Sequence, residues 1–388
     1  MKIGQWAGTR RDLFSPYICD HLSKLHSNVN RHAREHTHAA LVKAFGTDYS
    51  DRLVLEDVVG SGSAAQVYRG TLDGNLVAVK VLHPGIVRAI ERDLFLMEQV
   101  SSLIDSLPFE IIKCLGLPRA VENFASILRH QVDLRNECSN LKTFIENFGL
   151  PRGHKVDTNS VNIAFPIPLV DWSTPEVLVE EYAEGQSISV YLSDHSEAGL
   201  VTRRLLARPL LQAYLKMVFI DNFVHSDLHP GNVLVKVCDD SSSHDIVFLD
   251  AGIVTSLSAQ DQKNLKDLFT AVVLNRGEEA GRLMVERAKH ERCSGIDGGI
   301  EAFSAGIGEL VSEFHDSRKS GLTLGAVHIG SLLKRVLDLC RIHGVEIDPS
   351  MANVVVSTLV LEGLGRSLEP NLNLIEFAIP LLIGKISY

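Results

Sequence analysis

Apolar positions along this chain repeat with two periods, and the period changes along its length. Residues 1 to about 50 carry helical spacing, with Leu13, Tyr17, Leu22 and Leu25 on one face and a second helix from about Thr37 to Phe45. From Leu53 the runs shorten and become β-rich: Leu53 to Val59, Gln66 to Thr71 and Leu76 to Leu82, divided by Gly60–Gly62 and by Asp73-Gly74. The Asp-Gly pair predicts a tight hairpin, because its two residues accept the positive φ of a two-residue turn. Amphipathic helices are expected over 86–105 and 119–147, and two further strands over Pro166 to Val170 and Val177 to Glu181. Beyond about residue 200 the spacing is mostly helical. It is interrupted by Val233 to Val237 and Ile246 to Leu249, two β-rich runs around a polar turn at Asp239 to Asp245. Ser258-x-x-Asp261 resembles a helix start and Asn275-Arg276-Gly277 a helix stop.

Strands first and helices later predict an α+β fold with two lobes. The expected division is an N-terminal helical extension over 1–51, a β-rich lobe with inserted helices over 52–183, and a helical lobe over 184–388. The connector would lie near Tyr182 to Gln186.

At 388 residues the chain can bury two cores. A net charge of −10 argues against a nucleic-acid partner. Cys19, Cys114, Cys138, Cys238, Cys293 and Cys340 are scattered with no C-x-x-C pair, which points away from a disulfide framework or zinc site and toward a reducing compartment. No targeting segment is visible, and no apolar run reaches the roughly 18 residues of a membrane span. The nearest, Leu374 to Ile383, contains Glu376 and Pro380 and reads as a final core or surface-docking helix.

The chemistry is concentrated in His225-Ser226-Asp227-Leu228-His229-Pro230-Gly231-Asn232 and, one hairpin later, Asp250-Ala251-Gly252. Phosphoryl transfer of the kinase type needs an Asp that orients the nucleophile, an Asn five residues on, and a second Asp; the last two hold magnesium on nucleotide phosphates. The intervening hairpin would bring Asn232 and Asp250 to the same end of two paired strands. Gly60-Ser61-Gly62-Ser63 lies where a phosphate-covering loop belongs, and Val77-Ala78-Val79-Lys80 follows on the third strand, its lysine suited to pair with phosphates. Glu91, Glu98 and Glu137 are each candidate acidic partners for Lys80. Asp250-Ala251-Gly252 runs within a few residues into the helix expected at Ser258, with no long activation segment and no A-P-E. The nucleotide machinery is therefore present without the docking platform for a protein substrate.

Together these residues resemble the UbiB/aarF-type atypical kinases. The resemblance rests on Lys2-Ile3-Gly4-Gln5 (K-x-G-Q), Lys80 to Gly85, His225 to Asn232 (H-x-D-x-H-P-G-N) and Asp250 to Gly252, and spans nearly the whole chain. Residues Lys2 to Asp12 look most similar to the eukaryotic branch called aarF domain-containing kinase two. The resemblance implies a two-lobed protein-kinase-like fold using ATP and Mg2+, a mitochondrial location, and support of ubiquinone biosynthesis and lipid metabolism. It implies a small-molecule or lipid-like substrate, with a membrane surface or a lipid-modifying enzyme as a further partner. In these terms Asp227 is the catalytic-loop acid and Lys80 pairs with Glu137. Asn232 and Asp250 are the metal ligands, while Gly60, Ser61, Gly62, Ser63, Lys80, Glu181 and Tyr182 surround the nucleotide. The K-x-G-Q segment packs over the site in that family, which makes Lys2, Gln5, Gln131 and Asp133 regulatory candidates. The family's E-x-D reads Gln131-Val132-Asp133 here, so the expected carboxylate partner of Lys2 is an amide, a weaker hydrogen-bonding partner. The family's loop is alanine-rich, whereas Gly60 and Gly62 bring freedom for positive φ and close approach to phosphates.

Because K-x-G-Q begins at residue 2, the sequence reads as a fragment or truncated gene model. His32, His36 and His38 have i, i+4 spacing but lack a Cys or carboxylate partner, so a polar helix face is expected rather than a metal site. His225 is expected to brace the catalytic loop. Trp6 and Trp172 read as core or interface aromatics. Two other readings stand beside the kinase or ATPase: a nucleotide-sensing pseudokinase that regulates a lipid-modifying partner, and a small-molecule kinase of the aminoglycoside or choline type, against which the K-x-G-Q element argues.

Overall fold

In the computed structural model, Tyr17 and residues 31–108, 117–149, 161–194, 196–237, 244–319 and 329–370 are described. Helix α1 (Arg34–Phe45) leads into β1 (Leu53–Ser61), β2 (Ala65–Leu72) and β3 (Asn75–Leu82), which pair antiparallel in succession. The β2–β3 hairpin closes through Asp73 (φ 49°) and Gly74 (φ 82°), the two positive values a type I′ turn requires. Next come α2 (Ile86–Asp105), α3 (Leu117–Gln131) and α4 (Leu134–Asn147). The pattern over 119–147 predicts one helix, but the chain breaks at Val132-Asp133. The Asp133 carboxylate accepts from the Arg135 backbone N–H at 3.1 Å, capping a new helix instead of continuing the old one.

The chain then forms β4 (Val161–Ala164), β5 (Pro168–Ser173) and β6 (Val177–Glu181). β6 returns beside β3 and completes a five-stranded sheet in the order β1-β2-β3-β6-β5. After Tyr182 to Gly185 come β7 (Gln186–Ser187), α5 (Ile188–Ser193), α6 (Glu197–Phe219), β8 (Val224–His225), β9 (Val233–Val237), β10 (His244–Phe248) and β11 (Val254–Thr255). A second sheet runs β4-β10-β9-β7, and a short ladder joins β8 to β11. The remaining described helices are α7 (Ala259–Val273), α8 (Gly277–Arg287), α9 (Gly299–Lys319), α10 (Ile329–His343) and α11 (Pro349–Leu368). Ser258 caps α7, its Oγ accepting from the Asp261 N–H at 3.1 Å.

The described residues form three core clusters, one on the five-stranded sheet, a large central one, and a third among α7 to α10 around Phe303 and Ile307. In the smaller lobe Leu41 of α1 packs with Tyr68, Val79, Val81 and Val179, sealing one face of the five-stranded sheet, and Trp172 packs against this core. The larger core gathers Leu94, Phe144, Phe165, Leu210, Tyr214 and Phe248. Phe144 of α4 stacks on Phe165 at 4.9 Å between centroids and lies 5.8 Å from the ring of His225. α4 therefore packs under the His225–Asn232 loop while its first turn faces the sheet. Among the described residues no helix is long and apolar enough to cross a membrane. Residues 1–16, 18–30 and 371–388, which contain Lys2, Gln5, Trp6 and most of both amphipathic terminal segments, lie outside the described residues.

Candidate active site

Cross-strand partners share a face of a sheet. Val67 pairs with Lys80, Lys80 with Leu178, and Ala78 with Glu180, so these residues line one face, opposite the one sealed by Val79 and Val179. From that face the Lys80 Nζ donates to Glu137 Oε1 at 2.9 Å and Oε2 at 2.8 Å, and to Asp250 Oδ1 at 2.9 Å. Of the three acids that pattern offers for Lys80, the structure brings only Glu137 to it. Glu91 and Glu98 lie on the outer side of α2, paired with Arg129. Burial alone would lower the Lys80 ammonium, but the charges of Asp250 and Glu137 outweigh it and hold it above the ordinary lysine range. Burial pushes the Glu137 carboxyl up to about 7, against the pull of Lys80.

The β9–β10 hairpin fixes Asn232 and Asp250. Phe248 pairs with Val233, and the Leu249 N–H donates to the Asn232 carbonyl at 2.8 Å, which sets Asn232 and Asp250 at the same end of β9 and β10. Asn232 donates its side-chain N–H to the Asp227 carbonyl at 2.9 Å. Its Oδ1 is therefore turned away from the loop backbone. The buried His225 holds both parts together: Nε2–H donates to the Leu249 carbonyl at 2.9 Å, and Nδ1 accepts from the Asp227 N–H at 3.3 Å. Burial holds His225 below the ordinary histidine range, which keeps the ring neutral and this donor–acceptor division intact. Exposed His229 accepts the Gly231 N–H on Nδ1 at 3.0 Å and turns the chain into Asn232. Asp250 itself adopts φ 51°, a conformation unusual outside glycine and held by its surroundings.

Sequence reasoning overlooks two contributors. Asn140 on α4 donates to the Ala251 carbonyl at 2.8 Å and pins the Asp250 segment. Glu180 faces the cleft one strand from Lys80, and burial, then the charge of Glu137, raise its carboxyl to about 8. Its signal is an acid two positions after Leu178, on the same face of β6.

Of the four residues expected in the phosphate loop, Gly60 and Ser61 end β1, paired with Val67 and Gln66, and Gly62 and Ser63 lie in the turn before β2. The Gly62 N–H donates to the Ala65 carbonyl at 2.9 Å, closing the turn. Neither Gly60 nor Gly62 adopts positive φ, and a Cβ at either would meet only ordinary contacts at 3.9 and 3.7 Å. The expected need for left-handed backbone is thus corrected; what remains is close approach. The Ser61 Oγ is buried with no partner among the described residues, and a donor or acceptor arriving in the loop would satisfy it. Glu181 and Tyr182 lie at the end of β6. The Glu181 N–H donates to Ile167 O, and the Tyr182 ring lies 5.4 Å from the Arg69 guanidinium.

Gln131 ends α3 and Asp133 is paired with Arg135, while Lys2 and Gln5 fall outside the described residues, so their juxtaposition is not defined. His32, His36 and His38 each hydrogen-bond elsewhere, to His83, Leu82 O and Tyr49. Among the described residues no group of three or more His, Cys, Asp or Glu is placed to hold a metal. The candidate pair of one carboxylate and one carboxamide oxygen, Asp250 and Asn232, is a hard oxygen set. It suits Mg2+ held chiefly by phosphate and water. A separate apolar cavity of about 130 Å3 lies among α7, α8, α10 and α11 and contains none of these residues.

The family model described as the ABC1 atypical kinase-like domain matches residues 24–283, and that of the UbiB helical domain matches 318–373. An ABC1 family protein of Saccharomyces cerevisiae, named as mitochondrial, is 33% identical over 98% of this chain and 65% of its own length. A Schizosaccharomyces pombe ABC1 family protein, also named as mitochondrial, is 34% identical over 98% of this chain and 63% of its own. The chain thus spans less than two thirds of these relatives. The Mycobacterium tuberculosis protein Rv3197, solved with erythromycin, has the same fold. It matches with a TM-score of 0.54 and 19% identity, over 97% of this chain and 92% of that one. With two matched family models, this fold and this order of motifs, the chain belongs to the ABC1/UbiB family of atypical kinases.

Proposed function

We propose that the cleft binds MgATP and uses it either for hydrolysis or for phosphorylation of a small or lipid-like molecule, in support of mitochondrial ubiquinone biosynthesis and lipid metabolism. The observation that carries this reading is the convergence of Lys80, Glu137 and Asp250 within hydrogen-bond distance, with Asn232 and Asp227 held beside them by His225. Lys80, fixed by Glu137, would meet the phosphates, and the Gly60–Ser63 loop would cover them from above. Asp250 and Asn232 would hold Mg2+, which neutralises charge on the phosphates when bound. Asp227 would orient the attacking hydroxyl or water, and Glu181 and Tyr182 would face the base. The family and the names of the two fungal relatives support the mitochondrial part of the reading. Division of the chain at 51/52 and 183/184, and a regulatory role for Lys2, Gln5, Gln131 and Asp133, belong to the same proposal.

Product formation from ATP, followed for wild type and Asp227→Asn, tests the chemistry. The proposal predicts turnover in wild type and a loss of at least a hundredfold in the variant, with MgATP still bound. Equal binding with no turnover in wild type would favour the nucleotide-sensing pseudokinase instead.

A further inference from the structure

Outside the site lies a closed series of polar contacts whose donors and acceptors can be assigned from its two ends. His83 directly follows β3. By strand alternation its side chain leaves on the face of Val81, which packs against α1, opposite the face of Lys80. Its Nε2 lies 2.9 Å from the carbonyl of Gly62, in the candidate phosphate loop, and its backbone N–H donates to Ala64 O at 2.8 Å. Its Nδ1 lies 2.7 Å from Nδ1 of His32, just ahead of α1. From His32 the series runs through Nε2 to Thr37 Oγ1 at 2.9 Å, on to Tyr68 OH at 2.6 Å, and to Gln66 Nε2 at 2.6 Å. It closes where the His32 N–H donates to Gln66 Oε1 at 3.0 Å. Thr37, Gln66 and Tyr68 are almost wholly buried, so a mismatched donor here has no water to turn to.

A carbonyl only accepts, so His83 Nε2 carries the proton and its Nδ1, in the neutral ring, accepts. His32 must then carry its proton on Nδ1 and accept on Nε2 from the Thr37 hydroxyl. Thr37 accepts from Tyr68, and Tyr68 from the Gln66 amide nitrogen. The other end agrees independently, because the His32 N–H fixes Gln66 with its oxygen toward His32. Turning the amide over sets two donors face to face, and reversing the series sets the two Nδ1 lone pairs face to face while leaving the Tyr68 hydroxyl hydrogen without an acceptor in the series. A charged His32 would donate at both ring nitrogens and leave one buried hydroxyl hydrogen, of Thr37 or Tyr68, without an acceptor in the series. Burial lowers the His32 pKa to about 4 and favours the neutral ring.

The consequence falls on the loop. A trans peptide points its C=O and N–H to opposite sides. Drawing the Gly62 carbonyl toward His83 therefore turns the Ser63 N–H toward the sheet face that carries Lys80. We propose that His83 is a positioning residue for the nucleotide, clamping the β1–β2 loop in its phosphate-facing conformation, and that His32 ties this clamp to the segment ahead of α1. The proposal rests on the reading of Gly60–Ser63 as the phosphate-covering loop.

Imidazole 15N spectra of the full chain near pH 7.5, assigned with His32→Asn and His83→Asn, read the tautomers directly. The expected result is His83 protonated on Nε2 and His32 on Nδ1. His32 protonated on Nε2, or in the cationic form, would overturn the proposal. MgATP titration supplies the functional arm. His83→Ala should raise the Kd about five- to tenfold, the loss of one well-placed hydrogen bond in the loop. His83→Asn, whose amide can reach the same carbonyl, should recover most of that loss, and His32→Ala combined with His83→Ala should be no worse than His83→Ala alone. Wild-type affinity in His83→Ala sinks the clamp while leaving the nucleotide site standing. A wild type that binds no MgATP sinks both, so the two failures are distinguishable.

Discussion

Lys80 and Glu137 are worth more as a pair than either is alone, because each is desolvated and each is satisfied by the other. Lys80→Met should destabilise the protein by about 3–5 kcal/mol in urea unfolding, since it leaves Glu137 buried without its cation. Adding Glu137→Leu should recover a large part of that loss. Glu180 allows a pH test. Its folded-state pKa, about 8, lies above the ordinary 4.5, so the folded protein binds more protons than the unfolded chain between those values. Its contribution to stability is therefore greatest below about pH 4.5 and falls as the pH rises to about 8. Glu180→Gln removes that fall, so the variant should gain stability relative to wild type from pH 5 to 8; a constant difference over this range would contradict the burial argument. Sequence order marks Lys80, Asp227, Asn232 and Asp250, because their chemistry is written in short motifs. Glu137 is singled out among three acids only by resemblance and by the fold. Glu180 and Asn140 leave almost no trace, because what makes them matter is who faces them across the cleft.

Elements bounded by strong local chemistry are the legible ones. Asp73-Gly74 fixes the β2–β3 hairpin and Ser258 fixes the start of α7, since turn and cap preferences act within four residues. β4 is different: its four residues acquire strand character by parallel pairing with β10, some eighty positions away, and no local signal announces that partner. The α3–α4 break is intermediate, since the apolar spacing continues through it and only Asp133 competes. Asp133→Ala should cost about 1 kcal/mol in urea unfolding, the usual value of an N-cap. Asn140→Ala should cost about 1 kcal/mol as well, and it should also weaken MgATP binding by freeing the Ala251 carbonyl beside Asp250. Gly277→Ala tests packing at the start of α8, where a Cβ would stand 2.7 Å from Gly308 Cα; about 1–3 kcal/mol of overpacking cost is expected, read as a lower midpoint with unchanged slope.

For the molecule as a whole, the α+β order and the two lobes follow from the early strands and late helices, while the meeting of the lobes depends on contacts no period encodes. Lys80 on β3, Glu137 on α4 and Asp250 after β10 come from three separate stretches, and their ion pairs bring them into one site. A thermal-melt titration with ATP, with and without magnesium, on wild type and Asp250→Asn tests that site most directly. Binding to the folded state adds RT ln(1 + [L]/Kd), about 2.7 kcal/mol at a hundredfold excess over Kd. The account predicts a magnesium-dependent rise in Tm for wild type that is lost in Asp250→Asn. No rise in either protein would contradict it and leave a kinase-like fold with no nucleotide to act on.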